Sequence, residues 1–139
     1  MIEVYTDASV SNRKAVVTCL ALEPSSFIGC NVNEYTNVAS SLHGELLGIR
    51  DALEYVLKHT ELTDPIVIYC DSNTALEMIN KRTSKNSDRY SNIIRDIRKL
   101  KETHEVTLKL IKGHQSAHNP NKVVDLISNS VLRNLQEVL

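Results

Sequence analysis

Hydrophobic and polar positions alternate from the start of the chain. Ile2, Val4 and Thr6 interleave with Glu3, Tyr5 and Asp7, a period of two that predicts a strand over 2–8. Ser11-Asn12-Arg13-Lys14 predicts a tight turn, Ala15 to Leu22 a second strand, Glu23 to Ser26 another turn, and Phe27 to Val32 a third strand. Short turns between such strands predict an antiparallel meander. The period then changes. Leu42, Leu46, Ile49, Leu53 and Val56 recur at spacings of four and three, the stripe of a helix over about 41–59, with Ser40 and Ser41 as candidate N-caps. Ile66 to Cys70 is apolar with little alternation, as in a strand covered on both faces and flanked by parallel neighbours. A helix follows over about 73–81, and the polar stretch Arg82 to Asp88 interrupts the pattern. Tyr90, Ile93, Ile94, Ile97 and Leu100 mark a further helix, and Val106, Leu108 and Leu110 alternate with polar neighbours in a fifth strand. Lys112 to Asn121 reads as a loop, and Val124, Ile127, Val131 and Leu135 line a last helix from about Asn121 to Leu135. The order β-β-β-α-β-α-α-β-α predicts an α/β fold: a mixed five-stranded sheet, antiparallel meander plus parallel strands, flanked by helices.

The 139 residues fit a single domain over 1–139, long enough to bury a core without disulfide or metal staples. No apolar run approaches the roughly 20 residues of a membrane span, and the N-terminus reads as a strand rather than a signal segment. Cys19, Cys30 and Cys70 are odd in number and lack zinc-ligand spacing, which predicts buried, reduced thiols and a cytoplasmic location. The net charge of −1 hides an asymmetry: residues 81–101 hold eight basic side chains against two acidic ones, and the remainder is acidic. Such a patch is a candidate footprint for a polyanion, although a basic run is as often a solvated helix face.

Four acids stand where elements begin or end: Asp7 in the first strand, Glu45 one turn into the first helix, Asp71 after the fourth strand, and Asp125 near the start of the last helix. Each has an ordinary reading taken alone. Glu45 suits a solvated helix position, Asp125 complements a helix dipole, and Asp71 could cap the helix that follows it. Asp7 is different, because an Asp inside an alternating strand opposes strand preference, and such local conflicts mark functional sites. Grouped, the four suit phosphodiester cleavage, in which two divalent cations about 4 Å apart stabilise the attacking and leaving oxygens. Hard cations such as Mg²⁺ take oxygen ligands, so convergent carboxylates are a natural holder.

Thr6-Asp7-Ala8-Ser9, His43-Gly44-Glu45-Leu46, Tyr69-Cys70-Asp71-Ser72-Asn73 and Lys112-Gly113-His114 followed by Asp125 occur in this order along nearly the whole chain. The set resembles the type 1 ribonuclease H family. That resemblance implies an RNase H-like fold and an endonuclease that cuts the RNA strand of RNA–DNA hybrids, leaving 5′-phosphate and 3′-hydroxyl ends. It implies that Asp7, Glu45, Asp71 and Asp125 hold two Mg²⁺ ions, with Mn²⁺ as a possible substitute. His114 would assist proton transfer or product release from its loop. Ser9, Asn12, Ser41 and Asn73 would read the 2′-hydroxyls of the minor groove. Lys81, Arg82, Lys85 and Arg89 would contact phosphates and add salt-dependent affinity. The implied partner is an RNA–DNA hybrid met by a monomer, with no membrane involved.

The chain departs from the family pattern in three places. Ala8 follows Asp7 where many relatives have glycine, the interval from His114 to Asp125 is about one residue longer than in familiar bacterial members, and the basic, Trp-containing handle of those members is shortened here to a stretch without Trp. Two further readings stay open: another nuclease on the same fold, such as a resolvase or exonuclease, and a binding domain without catalysis.

Overall fold

β1 (Ile2–Ser11), β2 (Lys14–Glu23) and β3 (Ser26–Tyr35) form the predicted meander. The computed structural model describes residues 1–23, 26–59, 65–80, 89–111 and 124. Asn12 and Arg13, at φ 51° and 63°, make the two-residue connection between β1 and β2. Left-handed backbone at both positions is the turn whose twist matches that of the strands it joins. Two strands run past their expected ends. β3 reaches Tyr35 because it pairs with β2 as far as Ala15, and its polar Asn31, Asn33 and Glu34 are tolerated on a strand with one neighbour. For the same reason Cys30 is exposed, whereas Cys19 and Cys70 are buried, so the expectation of three buried thiols holds for two.

The chain continues through α1 (Ser41–His59), β4 (Ile66–Cys70), α2 (Asn73–Asn80), α3 (Ser91–Glu102) and β5 (Val106–Leu110). β4 pairs in parallel with β1 on one side and β5 on the other, giving the sheet order β3-β2-β1-β4-β5. β1 is therefore central, and the carboxyl ends of β1 and β4 open at the same edge. Crossover helices cover parallel strands, which is why β4 is buried on both faces and reads as an unbroken apolar run. The edge strand β5 keeps only partial cover, with Val106 and Leu108 half-buried and Leu110 exposed.

The core lies between the sheet and α1. Val4 of β1 and Ala15, Val17, Cys19 and Ala21 of β2 join Leu46, Ile49, Leu53 and Val56 of the helix in one buried cluster. Burying each large aliphatic side chain contributes on the order of 2 kcal/mol, so this interface dominates the stability of the fold. Within α1, Gly44 and Gly48 oppose helix propensity by about 1 kcal/mol each relative to Ala. Both face β1 and β2 at very short range. Among the described residues no helix is long and apolar enough to cross a membrane.

Candidate active site

The parallel register places Tyr5 beside Tyr69. Two residues further on, Asp7 and Asp71 therefore come level on the same face, at the carboxyl edge of the sheet. The two tyrosine rings stack beneath them, centroids 4.9 Å apart and planes 16° from parallel. Burial, reinforced by Glu3, pushes the Tyr5 hydroxyl up to about 12, so this floor stays neutral.

Helix α1 supplies the third acid. The Val38 N–H donates to the Arg13 carbonyl at 2.9 Å, tying the helix entry to the β1–β2 turn. Ser40 Oγ accepts from the His43 N–H at 3.1 Å and its carbonyl accepts from the Gly44 N–H at 3.1 Å. Ser40 is thus the N-cap, and Ser41 is exposed at the first helical position. Glu45 then arrives one turn in. At α2 the cap is Ser72, whose Oγ accepts from the Ala75 N–H at 3.2 Å. The capping reading of Asp71 gives way to Ser72, and Asp71 joins the other acids.

One carboxylate oxygen from each of Asp7, Glu45 and Asp71 lies within 4.8 Å of the other two. Asp7 is buried, Glu45 half-buried and Asp71 exposed, so the group runs from the core to solvent. Asp7 Oδ2 and Glu45 Oε2 are shielded from water. At an effective dielectric of about 20, two such charges repel by roughly 3.5 kcal/mol, a large fraction of the stability of a small domain. A divalent cation converts that repulsion into attraction. The donor set is all oxygen and fits a hard cation such as Mg²⁺ or Mn²⁺. Cys70 does not alter this: burial above all, with Glu45, Asp71 and Asp7 adding, pushes its thiol up to about 12. The thiol stays protonated and donates to the Ser72 carbonyl at 3.8 Å.

The other residues singled out in the sequence fall around this edge or outside the described residues. Ser9 is buried on the Asp7 face of β1, and Asn12 is exposed in the adjoining turn. Asn73 is exposed at the start of α2, where its Nδ2 donates to Glu77 Oε1 at 3.4 Å. Arg89 is exposed, its guanidinium 5.6 Å from the centroid of the Tyr90 ring. Lys81, Arg82, Lys85, His114 and Asp125 lie outside the described residues, as does the predicted last helix except Val124, which is helical and buried.

Two features were not anticipated. His43, in the first turn of α1, is half-buried beside Tyr90, with ring centroids 5.3 Å apart, and its Nδ1 accepts from the Ala39 N–H at 3.0 Å. With Ala39, Arg89, Tyr90, Asn92 and Ile93 it lines a cleft of about 280 Å³ between the starts of α1 and α3. Burial, then Arg89 and Arg50, lowers the His43 pKa. The second feature is Asp51, buried at 6% exposure on α1. Its Oδ2 accepts from Tyr35 Oη at 2.5 Å and Asn33 Nδ2 at 2.9 Å, and Arg50 lies 3.4 Å from Oδ1. An acid between apolar helix positions was the only sequence signal for it.

The RNase H family model matches residues 1–133. No curated protein sequence matches the chain. Among solved structures, RNase H1 from the halophilic archaeon Halobacterium salinarum superposes with a TM-score of 0.80 at 14% identity, over 96% of this chain and 98% of that one. LC11-RNase H1, isolated from compost by a metagenomic approach, gives 0.81 at 12% identity, over 97% of each chain. The prototype foamy virus protease–reverse transcriptase gives 0.73 at 16% identity, over 93% of this chain but 20% of the viral one. At these identities the likeness shows the fold, and the family match covers nearly all of the sequence. The chain belongs to the RNase H family, with the fold and an acidic cluster that mark an RNase H-type nuclease.

Proposed function

We propose that this chain is a divalent-metal-dependent endoribonuclease that hydrolyses the RNA strand of RNA–DNA hybrids, leaving 5′-phosphate and 3′-hydroxyl ends. The observation that carries the reading is the convergence of Asp7, Glu45 and Asp71 within 4.8 Å at the carboxyl edge of the sheet, in a chain of this family. Asp7, Glu45 and Asp71, with Asp125, would hold two Mg²⁺ ions, for which Mn²⁺ can substitute. When bound, the ions supply Lewis-acid stabilisation of the attacking and leaving oxygens.

The protein's own groups do the rest. Buried Asp7, at 3% exposure, is the fixed anchor of the site, and exposed Asp71 turns the cluster toward the substrate. Ser41 on the helix that carries Glu45, Asn12 in the turn after β1 and Asn73 two residues beyond Asp71 are exposed polar groups suited to the 2′-hydroxyls that distinguish a hybrid from DNA. Arg89, supported on Tyr90 at the mouth of the His43 cleft, presents guanidinium donors to a backbone phosphate. Lys81, Arg82 and Lys85 add further phosphate contacts, and His114 handles a proton near the leaving group.

The test is cleavage of four labelled substrates of one sequence: RNA–DNA, RNA–RNA and DNA–DNA duplexes and single-stranded RNA, with Mg²⁺, Mn²⁺ or EDTA. The reading predicts metal-dependent cutting of the RNA strand in the hybrid alone. Preferential cutting of another substrate would move the function to a different nuclease of the same fold. Hybrid binding without cutting would make the chain a binding domain.

A further inference from the structure

The relation of α1 to β1 is unusually close. A methyl group placed on Gly44 would lie 2.5 Å from Val10 Cγ2 and 3.4 Å from Ala8 Cβ. One placed on Gly48 would lie 2.9 Å from Thr6 Oγ1. Thr6, Ala8 and Val10 alternate with Asp7 and Ser9 along β1 and form its helix-facing side. The two glycines are four residues apart, hence on one face of α1 a turn apart. Glu45 follows Gly44 directly and lies three residues before Gly48, so its Cα is fixed by the contact on both sides. Asp7 sits between the Thr6 and Ala8 contacts on the strand.

We infer that Gly44 and Gly48 are positioning residues for the metal site: without side chains there, α1 rests on β1 at the separation that brings the Glu45 carboxylate to Asp7. This rests on the metal-site reading above. Carbon atoms in contact prefer roughly 3.5–4.0 Å, so a methyl group on Gly44 must displace the Val10 side chain, the helix or the strand by about 1 Å. Val10 is stiff at χ1 and cannot swing aside freely. A metal site tolerates about 0.2 Å in its ligand distances, so a 1 Å shift of one ligand relative to another is well outside its range. The same two positions explain why poor helix formers stand inside the longest helix described.

The test is Mn²⁺ affinity by calorimetry, with melting temperatures of the metal-free protein measured alongside. The proteins are wild type, Gly44→Ala, Gly48→Ala, Val10→Ala, Val10→Ala/Gly44→Ala, and Leu108→Ala as a truncation on β5, away from α1. Gly44→Ala is expected to weaken Mn²⁺ binding by about tenfold or more, and Gly48→Ala by less. Val10→Ala/Gly44→Ala, which has room for the methyl group, is expected to return to within about threefold of Val10→Ala. Leu108→Ala is expected to lower the melting temperature with unchanged Mn²⁺ affinity. If Gly44→Ala does not fold, Gly48→Ala and the double variant carry the same comparison. Wild-type affinity in folded Gly44→Ala or Gly48→Ala would overturn the positioning role, as would a folded double variant still defective in binding. A wild-type protein that binds no Mn²⁺ would sink the metal site itself, and the positioning role with it.

Discussion

Asp7 and Asp51 are both buried carboxylates on the principal elements of the core, and they keep opposite company. Asp51 is surrounded by donors: Tyr35, Asn33 and Arg50 converge on its two oxygens and tie α1 to β3. Burial, then the hydrogen bond to Asp51, pushes the Tyr35 hydroxyl up to about 12, so it remains a donor. Asp7 instead meets two further carboxylates, Glu45 and Asp71. Burial alone therefore does not separate an acid that ties elements together from one that sits in a candidate metal cluster; the groups around its oxygens do. Donors complete a site within the fold, whereas like charges call for a cation from outside.

The largest expected effect separates the two acids by activity. Asp7→Asn removes a ligand while keeping shape, and cleavage of a hybrid should fall by about 10³-fold, with the circular dichroism spectrum unchanged. Retained activity in that variant would remove Asp7 from the site. Next comes the response to metal. Saturating Mg²⁺, at a hundred times its dissociation constant, should stabilise the wild-type protein by about 2.7 kcal/mol, and Asp7→Asn should lose most of that gain. Thermal melts with and without EDTA would show it. Asp51→Ala should do the reverse. It leaves Tyr35 and Asn33 without their acceptor and should destabilise the fold by about 2 kcal/mol in urea titrations, while the increment from Mg²⁺ survives.

Smaller effects sharpen the contrast at the edges of the site. Cys70, buried beside the acids with its thiol pushed up to about 12, and buried Cys19 should resist maleimide in the native protein, whereas exposed Cys30 should be labelled, as peptide mass analysis would reveal. Fast labelling of Cys70 would mean that the cluster is open from beneath. His43 should add a modest pH dependence. Its pKa in the folded protein lies below the ordinary 6.5, so the unfolded chain takes up the proton first. Stability from the neutral ring is complete above pH 6.5 and is lost as pH falls through the folded value. Melting curves of the metal-free protein from pH 7.5 to 5 should therefore flatten in His43→Gln. An unchanged slope would assign the pH dependence to other groups.

Much of this arrangement was legible in the sequence, because periodicity and position carry it. Alternation in β1, the apolar run of β4 and the stripe of α1 give the sheet and its main helix. Asp7 betrays itself by disagreeing with its own strand. Other parts were not legible, for physical reasons. β3 outruns its apolar stretch because an edge strand tolerates Asn and Glu. Ser72 takes the cap that Asp71 also suits, and only hydrogen-bond geometry decides between adjacent candidates. Asp51 and His43 look like solvated helix residues until their tertiary partners are known. Gly44 and Gly48 look like weak points of a helix until the strand beneath them is seen.

The most direct test of the central claim is the chemistry of the product ends. A hybrid labelled on its RNA strand is cut with Mg²⁺ present, and the fragments are mapped by mass spectrometry. Carboxylate-held cations that direct water at the phosphorus leave 5′-phosphate and 3′-hydroxyl ends, lost together in EDTA and in Asp7→Asn. Fragments ending in a 2′,3′-cyclic phosphate would mean that the ribose hydroxyl is the nucleophile, and cutting that survives EDTA would mean that no held cation is needed; either result would contradict a reaction run by the acidic cluster.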